Sequence, residues 1–151
     1  MNIVKQINQY DDKCIYLCEP IKNNIIENGH FIRIIYSTHN VVFNGIYLLL
    51  SFSEISCDKY FNKHKYSFNV YTNFDLIYQI QKIEQQTLKK HEILNKTPKF
   101  KLYEQIKSGN IKIFGEPDDN TNILLILKIS GIWETDNAYG LTFKFINCAS
   151  Q

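Results

Sequence analysis

The chain has 151 residues, 44% hydrophobic and 21% charged, and carries a formal charge of +2. A chain of this length can bury roughly 70% of its unfolded surface in one core, and 14% aromatics with an ordinary charged fraction exclude a disordered polymer. Its most apolar run, residues 46–50, is far short of the ~20 residues a membrane helix needs. We therefore expect a single domain over residues 1–151 with no membrane partner. Residues 1–6 lack the basic-then-apolar pattern of a secretory leader, so an intracellular location is expected.

Residues 13–19 alternate like a first strand and end at Pro20. Residues 31–36 and 41–52 are rich in β-branched and aromatic side chains, and Ser37-Thr38-His39-Asn40 between them reads as a hairpin connection. Gly45 interrupts the second of these and predicts a bulge or sharp bend. A shorter strand is expected over 66–71.

The period then changes. Between 73 and 91, apolar side chains at Leu76, Ile80, Ile83 and Thr87 follow helical spacing, widened by Phe74, Ile77 and Leu88. Thr72 and Asp75 resemble a capping box, and Lys89, Lys90 and His91 suit a helix C-terminus. Thr97-Pro98 breaks this pattern. Residues 102–107 predict a short second helix ended by Gly109, and 111–114 a brief strand. Two strong strands, 123–133 and 139–146, close the chain around Glu134-Thr135-Asp136-Asn137-Ala138.

Strands, an inserted helix and strands again predict a mostly β, α+β protein: a small antiparallel OB-like barrel carrying a helix at about 73–91. A ferredoxin-like arrangement is the rival, but it needs a substantial helix between the first two strands, where 21–28 offers only a weak candidate.

Cys14 and Cys18, on one strand, would sit about 13 Å apart, too far to share one metal ion. With Cys57 and Cys148 they read as reduced, buried small side chains, and neither a metal site nor a cofactor is expected. The four histidines have no neighbouring nucleophile or carboxylate at a catalytic spacing, so no catalytic residue is assigned and an enzyme is not expected.

Charge is distributed unevenly. Residues 1–58 hold four basic and six acidic side chains, residues 59–113 eleven and four, and residues 114–151 two and five. A middle third of net +7 between acidic flanks is a plausible polyanion footprint. Ile, Asn, Lys, Tyr and Phe make up 75 of the 151 residues, the signature of A/T-rich coding, so the Lys excess is not itself a chemical choice. Arg33 is the lone arginine and leaves little scope for bidentate reading of guanine edges.

A closing hairpin centred on Asp136 pairs Ile129 with Phe143, Leu127 with Phe145 and Trp133 with Tyr139 on a core face. Its other face pairs Lys128 with Lys144 and Ser130 with Thr142. Two ammonium groups directly opposite destabilise a strand pair, and with two hydroxyls beside them they suit a phosphate backbone. Trp133 as a stacking platform for a base is the alternative to Trp133 as core.

Gly131-Ile132-Trp133-Glu134, a short turn and Tyr139-Gly140-Leu141-Thr142-Phe143-Lys144-Phe145 resemble the closing hairpin of OB-type single-stranded-DNA-binding proteins of large, nucleocytoplasmic-type DNA viruses. The resemblance spans 123–146, about a sixth of the chain. It implies a replication-linked, strand-coating role with stacking aromatics and backbone-directed lysines, located in the host cytoplasm or a viral factory. This chain departs from that pattern in having no acidic C-terminal tail.

The expected function is sequence-independent binding of single-stranded nucleic acid. Lys128, Lys144, Ser130, Thr142, Arg33, Phe31, Lys65, Tyr66, Lys101 and Trp133 are the candidate contacts, and a homo-oligomer is possible. The alternative is a viral structural or assembly protein acting through protein–protein contacts, for instance by edge pairing of the strand over 41–52.

Overall fold

The computed structural model describes residues 5–23, 25, 29–114 and 125–147, with the side chains of Asn23, Tyr60 and Phe114 excepted. Its strands are β1 (Lys5–Gln6), β2 (Ile15–Leu17), β3 (Ile21–Asn23), β4 (Gly29–Ser37), β5 (Val42–Phe43), β6 (Ile46–Leu50), β7 (Ser56–Tyr60), β8 (Lys63–Ser67), β9 (Thr97–Lys99), β10 (Asn110–Phe114), β11 (Leu125–Glu134) and β12 (Ala138–Asn147). The helices are α1 (Phe74–Lys89) and α2 (Lys101–Lys107). The protein is thus mostly β with two helices.

Its strands form one nine-stranded sheet, built on the path β1-β6-β11-β12-β9, and a separate three-stranded sheet in the order β10-β8-β7. Among the described residues these sheets do not close into a barrel. Of the weak helix candidate at 21–28, Ile21–Asn23 form β3, antiparallel to β4; positions 24 and 26–28 lie outside the described residues.

β11 organises the large sheet because it changes partner midway. Residues 125–129 pair with β6, whereas 131–134 pair with β4. The change falls at Ser130, which is also the extra residue of a bulge against β12. The expected 31–36/41–52 hairpin is real only at its tip, where Tyr36 pairs with Phe43 and Ser37 with Val42. Gly45 then turns the chain at φ +109°, and a Cβ there would lie 3.0 Å from the Ile129 carbonyl oxygen. This is the bend expected from sequence, and it delivers β6 to β11. β6 consequently pairs with β11 on one side and β1 on the other, so the 41–52 segment presents no long free edge.

Other expectations shift. Residues 13–19 contain a 3-10 turn over Asp12–Cys14 and only three strand residues. The strand expected at 66–71 lies at Lys63–Ser67, and β7 occupies what reads as a polar connector. Thr97-Pro98 is not merely a break but edge strand β9, parallel to β12, a position where proline's missing donor is tolerated.

α1 buries Ile77, Ile80, Ile83, Thr87 and Leu88 as its period demands, but Phe74 stays exposed against Tyr78. No capping box forms. Instead the Asn69 side chain accepts from the Tyr71 and Thr72 amides, while Asn73 bridges to both backbone groups of Ser53. Glu84, fully buried on the α1 stripe, accepts the Leu102 and Tyr103 amides at 3.0 and 2.9 Å. It thereby satisfies orphan donors at the start of α2, which has no local side-chain cap. Burial pushes the Glu84 carboxyl up to about 6. Buried residues of both sheets and both helices form one continuous core.

Candidate nucleic-acid interface

The closing hairpin keeps the expected register from Leu125↔Asn147 through Ile129↔Phe143, including Lys128↔Lys144. Beyond Ser130 it slips by one residue: Gly131 faces Thr142, Ile132 faces Leu141 and Trp133 faces Gly140. A one-residue slip exchanges the two faces of a strand. Ile132 therefore enters the core, and Trp133 moves to the outer face. The expected Ser130–Thr142 and Trp133–Tyr139 pairs are both corrected by this bulge, and Ser130 has no partner on β12.

Two glycines make room for the rings. A Cβ on Gly140 would lie 2.7 Å from the Trp133 ring, and one on Gly131 would lie 2.6 Å from the Phe31 ring and 2.3 Å from the Ile32 carbonyl oxygen. Phe31 and Trp133 thus pack against glycine positions, half-exposed, on adjacent strands.

Register and burial define the outer face. One row runs Ile21, Phe31, Trp133, Gly140, Lys99 across β3, β4, β11, β12 and β9. The next is Arg33, Gly131, Thr142. A further row is Tyr47, Lys128, Lys144. Tyr16 lies opposite Ile35 toward the β2 side and is 70% exposed. No carboxylate occupies any of these positions. The Lys128 ammonium sits 5.5 Å from the Tyr47 ring centre, and that of Lys101, at the start of α2, sits 5.0 Å from the Trp133 ring. Such contacts hold ammonium groups against rings without neutralising them.

The structure thus brings Phe31, Arg33, Lys101, Lys128, Trp133, Thr142 and Lys144 together. Lys65 lies on the other sheet. Tyr66 is a correction: its ring is 1% exposed and its hydroxyl accepts from Asn147 Nδ2 at 2.8 Å, so it is core and is not available to a base. Of the Lys-rich stretch after α1, Lys90 pairs with Asp12 at 3.3 Å and Lys96 with Glu134 at 3.6 Å. Acidic residues of the chain's two ends therefore offset part of the middle third's charge.

Sequence reasoning missed Tyr16 and Tyr47. Tyr16 occupies the outward position of the Ile15-Tyr16-Leu17 alternation, a readable signal. Tyr47 is hidden because Ile46-Tyr47-Leu48-Leu49-Leu50 is apolar throughout. Glu134 was also unexpected. It is buried, with His91 Nε2 at 3.1 Å from Oε1, and Lys96 Nζ and His30 Nδ1 at 3.6 and 3.7 Å from Oε2. This cluster ties β4 and the segment after α1 to the end of β11, directly behind Trp133. Among the described residues no group of His, Cys, Asp and Glu is arranged to hold a metal ion, and no helix is long and apolar enough to cross a membrane.

No family model, no curated protein and no solved structure matches this chain.

Proposed function

We propose that this protein binds single-stranded nucleic acid, without strong sequence preference, across the outer face of its large sheet. The observation that carries the proposal is the co-facing set of half-exposed rings and cations, Phe31, Tyr47 and Trp133 with Arg33, Lys101, Lys128 and Lys144. Bases stack on the rings, at ~1–3 kcal/mol each regardless of identity, while the cations follow the phosphates. Cross-strand rows about 7 Å apart allow a splayed strand to lie along β11. The likeness of the hairpin to OB-type strand-coating proteins belongs to the same proposal, which needs the β4-β11-β12 surface and not barrel closure.

Trp133 is the only tryptophan, so its fluorescence reports directly. Titration with oligo-dT is expected to quench it, with affinity falling as salt rises. Four phosphate contacts give a log–log slope of about −3, and Lys128→Glu with Lys144→Glu reduces its magnitude by about 1.4. No quenching and no binding at micromolar protein in low salt would refute the proposal.

A second reading, assembly through protein–protein contacts, rests on one observation. Tyr71, Phe74 and Tyr78 form an exposed aromatic strip at the start of α1, with the Phe74 and Tyr78 rings stacked at 6.5 Å. Light scattering after size exclusion separates the two: self-association lost on Phe74→Glu favours assembly.

A further inference from the structure

Two cations on the outer face of the large sheet are seated on its rings. The Lys101 ammonium lies over the Trp133 ring, 5.0 Å from its centre, and the Lys128 ammonium lies over the Tyr47 ring at 5.5 Å. Within about 6 Å the negative face of an aromatic ring attracts such a cation. A planar base stacked on the same ring would bring its own centre to about 4.5–7 Å. Ammonium and base therefore compete for one place.

The two contacts are built differently. Lys128 comes from β11 itself, with Tyr47 opposite it on β6 and Lys144 opposite it on β12. Seating on Tyr47 draws one ammonium of the repelling pair to the β6 side. Lys101 comes from outside the sheet. It is the exposed first residue of α2, and the amides of Leu102 and Tyr103 just after it are bound to the buried Glu84 carboxylate. The backbone beside Lys101 is thus anchored, and its flexible four-carbon stem is the part free to move. Trp133 has little room to yield toward β12, since a Cβ on Gly140 would lie 2.7 Å from its ring.

Resting on the reading that bases stack on this face, we propose that Lys101 and Lys128 are exchangeable covers that set the class of ligand admitted. Each ammonium holds a ring in the free protein and gives it up to a ligand that offers a phosphate in return. A nucleotide strand supplies both the base and the phosphate. A nucleoside must push the ammonium into water instead, and loses about threefold per ring, the size of an exposed cation–π contact. Inorganic phosphate brings no base and leaves the rings covered.

The test follows lysine side chains of the full chain by NMR. In the free protein, ring currents of Trp133 and Tyr47 are expected to shift the terminal methylene protons of Lys101 and Lys128 upfield. Oligo-dT is expected to return them to ordinary lysine positions, while thymidine at the same base concentration and inorganic phosphate do not. Lys101→Ala is expected to bind thymidine about threefold more tightly, read by Trp133 fluorescence. The same variant binds oligo-dT more weakly, with the salt slope reduced in magnitude by about 0.7. These opposite signs identify a cover. Loss of a phosphate contact alone would leave thymidine unchanged, and damage to the fold would weaken both ligands; either result overturns the proposal. Lys107→Ala, which removes a similar contact with the Tyr103 ring at 5.5 Å, is the matched control and is expected to leave thymidine binding unchanged. Oligo-dT that fails to quench wild-type Trp133 refutes strand binding at this face. Quenching with Lys101 and Lys128 still shifted upfield refutes the covers alone.

Discussion

The protein places two lysines directly opposite one another twice, and the two settings differ. Lys128 and Lys144 stand on an open face several strands wide, where Lys128 has the Tyr47 ring on its other side. Lys65 and Lys112 stand in a cleft beneath a tight turn, where Lys65 has Asp58 on its other side. Like charges opposed across a ladder cost a few tenths of a kcal/mol up to ~1. A ring relieves that cost without cancelling the positive field, while a carboxylate partly cancels it. The open face therefore suits an extended polyanion. The small-sheet pair, with Asp58 beside it, attracts an anion less.

The comparison depends first on the bulge that turns Trp133 outward. Gly131→Ala strikes at it, because the new methyl group would meet the Ile32 carbonyl oxygen at 2.3 Å and the Phe31 ring at 2.6 Å. Backbone cannot yield as a flexible side chain does. The expected destabilisation is about 3 kcal/mol, the upper end of ordinary overpacking, measured by urea denaturation. Wild-type stability in this variant would mean that the β4–β11 register is not the one described.

The next largest effect tests how Lys101 is held beside Trp133. Glu84 caps α2 from a buried position on α1. Its folded pKa of about 6 lies above the ordinary 4.5. A raised carboxyl pKa means the folded state takes up the proton first. Its contribution to stability is then complete below pH ~4.5 and is lost as pH rises through about 6, a change of about 2 kcal/mol. Glu84→Gln removes this dependence. Wild type is therefore expected to gain on the variant as pH falls from 7.5 to 4, in paired denaturation curves. A pH-independent difference would contradict the burial of this carboxylate.

What could be read from sequence follows contact distance along the chain. α1 was legible because its stripe repeats every turn, although Phe74 was wrongly assigned to that stripe and Glu84 interrupts it as an apparent gap. Lys128↔Lys144 was legible because a five-residue connection leaves few registers. The slip after Ser130 was not, since nothing local distinguishes Ser130 from its neighbours; the glycines at 131 and 140 that receive the rings are the trace it leaves. Lys65↔Lys112 was illegible altogether, because α1, β9 and α2 separate the partners. Closure of the small OB-like barrel expected from the order of elements was illegible for the same reason, as closure is decided by non-local pairing; the described strands form two sheets.

The smallest effect separates the two lysine pairs most cleanly. Lys144→Glu converts a repulsive pair into an attractive one on the large sheet, and Lys112→Glu does the same on the small sheet. Each is expected to raise stability by about 0.5 kcal/mol, with Lys112→Glu gaining less because Asp58 already faces Lys65 from the other side. Function should divide them the other way. Lys144→Glu weakens oligo-dT, whereas Lys112→Glu spares it. A Lys144→Glu variant that gains stability while losing oligo-dT shows that the repulsion is maintained for binding. Equal losses of oligo-dT in both variants would mean that one long-range field, rather than the outer face of the large sheet, attracts the strand, and added salt would then erase the losses within a Debye length of about 10 Å at 0.1 M.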